Sequence, residues 1–348
     1  MVKRILYAMI IFVPLALVAD LLGWNPVLVF VFAALGIIPL ADLIGEATEE
    51  LAVHTGPRVG GLLNATLGNA AELIITIFAL GAGLTNLVLA SITGSILGNL
   101  LLVMGASMLL GGLKNGVQKF DSRQASMNAV LVIMAVVVLM VPSLFDVAIA
   151  ENRVAELRFS ESISVVIIVL YALSLIYSFT TKGAPHAHPP THEARWGVGK
   201  SLIILLLATA GVAVASEVLV GAVEHVTESL GLTEFFLGII IIPLVGNVAE
   251  HLVAVEVAHK NNMELSLAVS LGSSLQIALF VAPLLVFISL LFERQLLLVF
   301  NTFELIALFS ASLVAALIAQ DGESNWLEGV VLLAVYVILG LAFFFLPG

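Results

Sequence analysis

The 348-residue chain contains no cysteine, so disulfides and thiolate metal sites are excluded at the outset. Charge is scarce as well: 11% of residues are Asp, Glu, Lys or Arg, against about 25% in an average soluble domain. Thirteen basic residues face 24 acidic ones, and the resulting net charge of −11 leaves no footprint for nucleic acid while suiting surfaces that attract cations. The alternation of apolar and polar residues that marks a membrane barrel strand is missing. So are a His-Glu-x-x-His zinc motif and a Ser/His pairing suited to covalent catalysis, and nothing recommends an enzyme.

What fills the chain is apolar: 61% of residues are hydrophobic and the mean hydropathy is +1.17. A run of about 18 residues or more crosses roughly 30 Å of hydrocarbon as a helix. We recognise eleven runs, at 5–22, 27–46, 57–82, 86–112, 124–142, 161–180, 199–221, 234–258, 265–291, 303–319 and 327–346. They predict an all-α integral membrane protein of eleven transmembrane helices, with no room for a soluble domain. The first run follows Lys3 and Arg4 as a signal segment would, but no small-residue cleavage site follows it, and it is read as a retained helix. With eleven crossings, Lys3, Arg4, Arg58, Lys114, Lys119, Arg123, Lys182, Arg195, Lys200 and Lys260 share the N-terminal side, and Arg153, Arg158 and Arg294 the other. That bias places the N-terminus in the cytoplasm and the C-terminus outside.

Two intramembrane motifs repeat. Gly68-Asn69-Ala70-Ala71-Glu72 and Gly246-Asn247-Val248-Ala249-Glu250 lie 178 residues apart, and at the same offset Gly94-Ser95 matches Gly272-Ser273. The chain therefore divides into an additional N-terminal helix (1–23), a first five-helix repeat (24–181), a cytoplasmic linker (182–197) and a second repeat (198–348). An odd number of spans per repeat inverts the second copy, and inverted repeats recur in secondary transporters, whose sites lie near the midplane where the repeats meet. The linker is rich in Pro and His. His186, His188 and His192 suit either a weak metal or pH-sensing cluster or a plain solvated segment.

A carboxylate at the bilayer centre costs about 2.5 kcal/mol or more, so Glu72 and Glu250 are functional candidates by default. Asn69 and Glu72 are three residues apart, as are Asn247 and Glu250, and each pair shares a helical face. The glycine-rich stretch 60–69 and Pro243 with Gly246 loosen the backbone ladder and free carbonyls where they face a polar cavity. Ser95 with Asn99, and Ser273 with Gln276, fall on single faces and can complete such a cavity, although small Gly-Ser pairs also simply let helices approach. The candidate cation ligands are thus Glu72, Glu250, Asn69, Asn247, Gly68, Gly246, Ser95, Asn99, Ser273 and Gln276, with Glu72, Glu250 and His251 coupling to protons. His251 points about 100° away from Glu250, as a proton relay or as an interhelical hydrogen-bonding partner. Oxygen ligands of mixed type favour calcium first and manganese second. Glu46 and Glu50 align with Glu224 and Glu228 at helix ends, either as acidic mouths that concentrate cations or as solvated ends, and Glu217 is a weaker candidate for the pathway.

These paired motifs, with the one-plus-five-plus-five arrangement, resemble the calcium/cation proton exchangers (CAX) of the cation/calcium exchanger superfamily over nearly the whole chain after the first helix. The resemblance implies antiport of Ca2+ against H+, with Glu72 and Glu250 at the family's ion-binding glutamates and the first helix outside the transport core. Sodium/calcium exchangers of the superfamily carry a further acid near the second Gly-Ser motif. Here Ser273-Ser274-Leu275-Gln276 stands there, which favours protons over sodium. Many members have an acidic helix between repeats, whereas this linker offers only Glu193. The implied partners are Ca2+, H+ and the lipid bilayer, with a homo-oligomer left open, no nucleic acid and no cofactor. Rival readings are a Na+/Ca2+ or Mn2+ exchanger and a passive cation channel. Compact loops and the lack of a targeting extension point to a prokaryotic cell (inner) membrane, with a vacuolar membrane as the alternative.

Overall fold

A computed structural model describes residues 2–149, 152–180 and 194–346 of the chain. Helices α1 (Val2–Met9) and α2 (Phe12–Leu21) form the first apolar segment, which Gly23 ends in the left-handed conformation (φ 65°). Asn25 then caps α3 (Pro26–Leu67), accepting from the Val27 N–H at 2.9 Å, with Pro26 at the first helical position, where its missing N–H is no loss. α3 runs past Glu46 and turns sharply only at Gly56 (φ 80°, ψ 169°), a conformation open to glycine. The sequence placed the end of this span at residue 46, because hydropathy falls there. The helix continues because Glu46 and Glu50 are paired, as described below.

There follow α4 (Ala70–Gly81), α5 (Thr85–Leu97), α6 (Met104–Asn115), α7 (Ser122–Ile149) and α8 (Arg153–Thr180). The second half holds α9 (Val198–Leu230), α10 (Glu234–Phe236), α11 (Ile242–Gly246), α12 (Val248–His259), α13 (Met263–Gln276), α14 (Ala282–Ser289), α15 (Thr302–Ile318) and α16 (Trp326–Phe344). Wider π turns at Gly98–Val103, Leu237–Ile241 and Ile277–Val281 join α5 to α6, α10 to α11 and α13 to α14. The bounds of α4 and α12 differ by the same 178 residues as the motifs. One departure from an all-helical chain is an antiparallel two-residue bridge, β1 (Gln118–Lys119) with β2 (Glu323–Ser324).

Eight helices among the described residues are long and apolar enough to cross a membrane, or nine if the pair 234–246 and 248–259, bent by 62°, is one span. The remaining expected runs, 57–82 and 303–319, appear as the interrupted end of α3 with α4 and as the shorter α15. Burial sorts the spans: 94% of the apolar window of 85–115 is buried within the molecule, against 17% for α16. α5–α6 and α13–α14 are therefore central, and α8 and α16 peripheral. Peripheral and long helices present Leu206, Leu207, Val165 and Ile338 outward, as a lipid-facing surface requires. Each repeat's broken helix packs on the other repeat's long helix, α4 on α9 and α12 on α3. Gly94 allows α5 to touch the Ile239 carbonyl, and Gly238 lies against the Leu87 carbonyl, so these backbones meet without side chains between them.

Candidate functional site

Both Gly-Asn motifs break their helices in the same way. Asn69 (φ −96°, ψ 21°) ends the α3 segment and starts α4, and Asn247 (φ −106°, ψ 12°) stands between α11 and α12. Glu72 and Glu250 thereby fall in the first turns of α4 and α12, where free N–H groups and the helix dipole favour a negative charge. Neither asparagine side chain caps its own helix. The Asn69 amide instead reaches across the repeats and donates to Gln276 Oε1 at 2.7 Å.

The predicted residues converge. Ser95 donates to Glu72 Oε1 and Ser273 to Glu250 Oε2, while Asn99 Nδ2 donates to the Ser273 hydroxyl at 2.9 Å. Gly246 packs on Glu72: a Cβ built there would lie 3.3 Å from the Glu72 Cβ. Gly68 packs on Glu250, with Oε1 3.3 Å from its own hypothetical Cβ. Glu72 is 1% exposed and Asn69 3%, whereas Glu250 and His251 are half-buried. Glu72 Oε2, Asn69 Oδ1 and Asn247 Nδ2 at this centre are buried without a well-formed hydrogen bond among the described residues, the Asn247 amide facing the Glu72 carboxylate, and His251 Nε2, on the residue after Glu250, is likewise buried without one. Two of them are oxygens, which suit a hard cation. No cluster of three or more His, Asp or Glu side chains that could hold a metal ion occurs among the described residues, so a cation here would depend on amides, hydroxyls and carbonyls besides the two carboxylates.

The expected acidic mouths are corrected in the first repeat. Glu46 accepts from Lys3 Nζ (3.0 Å), Tyr7 Oη (3.0 Å) and Arg195 Nη2 (2.8 Å). Glu50, with its side chain wholly buried, accepts from Arg195 Nε (3.1 Å) and from the main-chain N–H groups of Arg195 (2.7 Å) and Trp196 (3.0 Å). Hydrogen bonding to Glu50 raises the Arg195 pKa further above its ordinary value. His54 donates to the Trp196 carbonyl at 2.7 Å, and the Lys200 ammonium stands 4.7 Å from the Trp196 ring centre. These carboxylates bind α1 and the segment just before α9 to α3 instead of standing open to cations. Their counterparts Glu224 and Glu228 are exposed, as is Glu217. At the end of the expected linker, Arg195 and Trp196 are held on Glu50, while His186, His188, His192 and Glu193 lie outside the described residues.

Sequence reading passed over Glu304. It is 3% exposed, accepts from Thr93 Oγ1 at 2.9 Å and closes a capping box with Asn301 at the start of α15. The Asn-x-x-Glu spacing was a visible signal for the cap. The contact with Thr93, two residues before Ser95, was not.

Comparison with known proteins places this geometry. The model of the family described as "Sodium/calcium exchanger protein" matches residues 25–180 and 200–345. A Ca(2+)/H(+) antiporter of Aphanothece halophytica is 45% identical, covering 99% of this chain and 97% of its own. The Ca(2+)/H(+) antiporter ChaA of Bacillus subtilis (strain 168) is also 45% identical, over 96% of this chain and 97% of its own. The crystal structure of the selenium-substituted Ca2+/H+ antiporter protein YfkE superimposes with a TM-score of 0.87 at 43% identity, covering 99% of this chain and 100% of that one. With both repeats matched and relatives of this similarity along almost its entire length, the chain belongs to the sodium/calcium exchanger protein family.

Proposed function

We propose that this protein is a transporter that exchanges Ca2+ for H+ by alternating access, with Glu72 and Glu250 taking either the cation or protons. The observation that carries the reading is the pair of matched, membrane-embedded carboxylates with buried oxygens at Glu72 Oε2 and Asn69 Oδ1 that lack well-formed hydrogen bonds. Two ionised glutamates at membrane depth resist passage through an occluded state, whereas one Ca2+, or protons on the carboxylates, neutralises them. Only loaded forms then switch sides, and because one set of oxygens serves both substrates, exchange is coupled without a separate gate. The names of the relatives, antiporters of Ca2+ and H+, support the same assignment.

The ligand set is proposed as Glu72, Glu250, Asn69, Asn247, Ser95, Asn99, Ser273 and Gln276, with Gly68 and Gly246 keeping the helix breaks close to the opposite glutamates. His251 is proposed as a proton relay beside Glu250. Eleven crossings with a cytoplasmic N-terminus, the helix 1–23 outside two inverted repeats, and a cell membrane as the location complete the proposal. Contacts between loops agree with that topology: the β1–β2 bridge joins two loops assigned to the inner side, and Arg294 donates to the Gly83 carbonyl (3.4 Å) between two assigned to the outer side.

The test is Ca2+ uptake with simultaneous internal pH in liposomes under an imposed pH gradient. Uptake is expected to reverse with the gradient, to require more Ca2+ when the Ca2+ side is acidified, and to vanish in Glu72→Gln and Glu250→Gln variants that still fold. Flux that needs Na+ at clamped pH would assign the sodium-coupled reaction instead, as the description of the family model allows.

A further inference from the structure

Gly68 ends the interrupted stretch of α3, and the space beside it is lined with oxygen. A Cβ built on Gly68 would lie 2.7 Å from the Asn64 carbonyl oxygen, 3.3 Å from Glu250 Oε1 and 3.7 Å from Asn64 Oδ1, its three nearest neighbours. The corresponding point beside Gly246 is bordered by Glu72 Cβ, Cα and N at 3.3, 3.4 and 3.6 Å. Side-chain oxygens, from Asn64 and Glu250, therefore line this notch in one repeat only. Ile242 stands four residues before Gly246 where Asn64 stands four before Gly68.

Exposure points the same way. Asn64 and Thr66 are exposed and Gly68 and Glu250 half-buried, while Glu72 and Asn69 behind them are closed off. An exposed amide at membrane depth belongs in a water-filled cavity, since lipid offers it no partner. The Ser273 hydroxyl occupies Glu250 Oε2, which leaves Oε1 turned toward the notch. The Asn64 carbonyl accepts the Gly68 N–H at 2.8 Å and retains a second lone pair.

We propose that Asn64, Gly68 and Glu250 form a divalent-cation station at the mouth of the site, where Ca2+ exchanges part of its water shell for protein oxygens before it reaches Glu72. The inference rests on the exchange reading above and deepens it. Carboxylate, amide and main-chain oxygens are ligand types that Ca2+ accepts in flexible geometry, with water completing its six to eight positions. The station is one-sided: loading from the opposite face proceeds without it, because Ile242 offers no side-chain oxygen.

The experiment measures half-saturating Ca2+ separately at each face, in everted and right-side-out membrane vesicles under a fixed pH gradient. Asn64→Leu, similar in size but without the amide, is expected to raise that concentration about three- to tenfold on the face to which Asn64 opens and to leave the other face unchanged. Asn64→Asp, which returns the oxygen, is expected to restore it. Should the Leu variant fail to reach the membrane, Asn64→Ala gives the same one-sided comparison at this exposed position. An equal shift at both faces, or none at either, overturns the station. Absence of Ca2+/H+ exchange in the unmodified protein would overturn the exchange reading itself, and the station with it.

Discussion

The Ser95 hydroxyl donates to Glu72 Oε1 from 23 residues further along the chain, and Ser273 stands in the same relation to Glu250, again at 23 residues. Each repeat thus closes a helical hairpin over its own glutamate. The halves are then tied across the interface by Asn69 with Gln276 and Asn99 with Ser273.

Removing one of these hydroxyls takes a charge-assisted donor from a carboxylate that has few others. Ser95→Ala and Ser273→Ala are each expected to raise half-saturating Ca2+ about three- to tenfold with the maximal rate less affected, a difference of about 1 kcal/mol. Initial rates of Ca2+ uptake at fixed pH gradient measure it. Wild-type saturation in both variants would separate the serines from the site.

Gln276 accepts from Asn69 at 2.7 Å, and a carboxylate oxygen could accept the same bond. Gln276→Glu would therefore preserve the geometry while adding a third negative charge next to the two glutamates. The expected outcome is Ca2+ flux that becomes sensitive to Na+ at clamped pH, where the unmodified protein is not. If Na+ has no effect on the variant, the amide at this position does not set the coupling ion.

Glu304 holds two groups at once: the Thr93 hydroxyl and, through Oε2, the Asn301 N–H at 2.9 Å. Glu304→Gln keeps an acceptor for the Asn301 N–H and turns the other position into a donor that the Thr93 hydroxyl can accept, and it is expected to leave both stability and exchange near wild type. Glu304→Leu leaves the buried Thr93 hydroxyl and the Asn301 N–H without this acceptor and should cost about 1–3 kcal/mol in detergent unfolding. A Gln variant that is stable but no longer exchanges would move Glu304 from the scaffold to the proton path.

Arg195 joins Glu46 and Glu50, and its side chain is 55% exposed while the Glu50 side chain is fully buried. In Arg195→Ala the main-chain donors to Glu50 remain, so the loss is expected to be modest, about 1–2 kcal/mol after allowance for solvent screening. Thermal unfolding of Arg195→Ala, Glu50→Gln and the double variant checks it. Additive losses in the double variant would show that the pair is not coupled.

Glu72, Glu250 and their asparagines could be read directly because a repeated carboxylate in an apolar run has so few alternatives. The paired serines were recognisable by their offset. Asn64 was hidden: it lies in the same glycine-rich stretch, but it has no counterpart in the second repeat, so the duplication that exposed the other residues passed over it. Glu46 and Glu50 were misplaced for the opposite reason. Symmetry suggested a shared role with Glu224 and Glu228, while the folded chain brings Arg195, from a distant segment, onto one pair only.

The sequence by itself determined the apolar spans, the helices, the duplication and the two glutamates that are candidates for the site, because hydrophobic run length and the cost of buried charge act locally along the chain. Only the tertiary structure decided which oxygens converge and which carboxylates are neutralised by cations. It also decided that Asn64 and Glu250 are more exposed than Asn69 and Glu72. Those properties depend on distances between helices far apart in sequence, set by backbone approach at glycines such as Gly94 and by the two bends at Asn69 and Asn247.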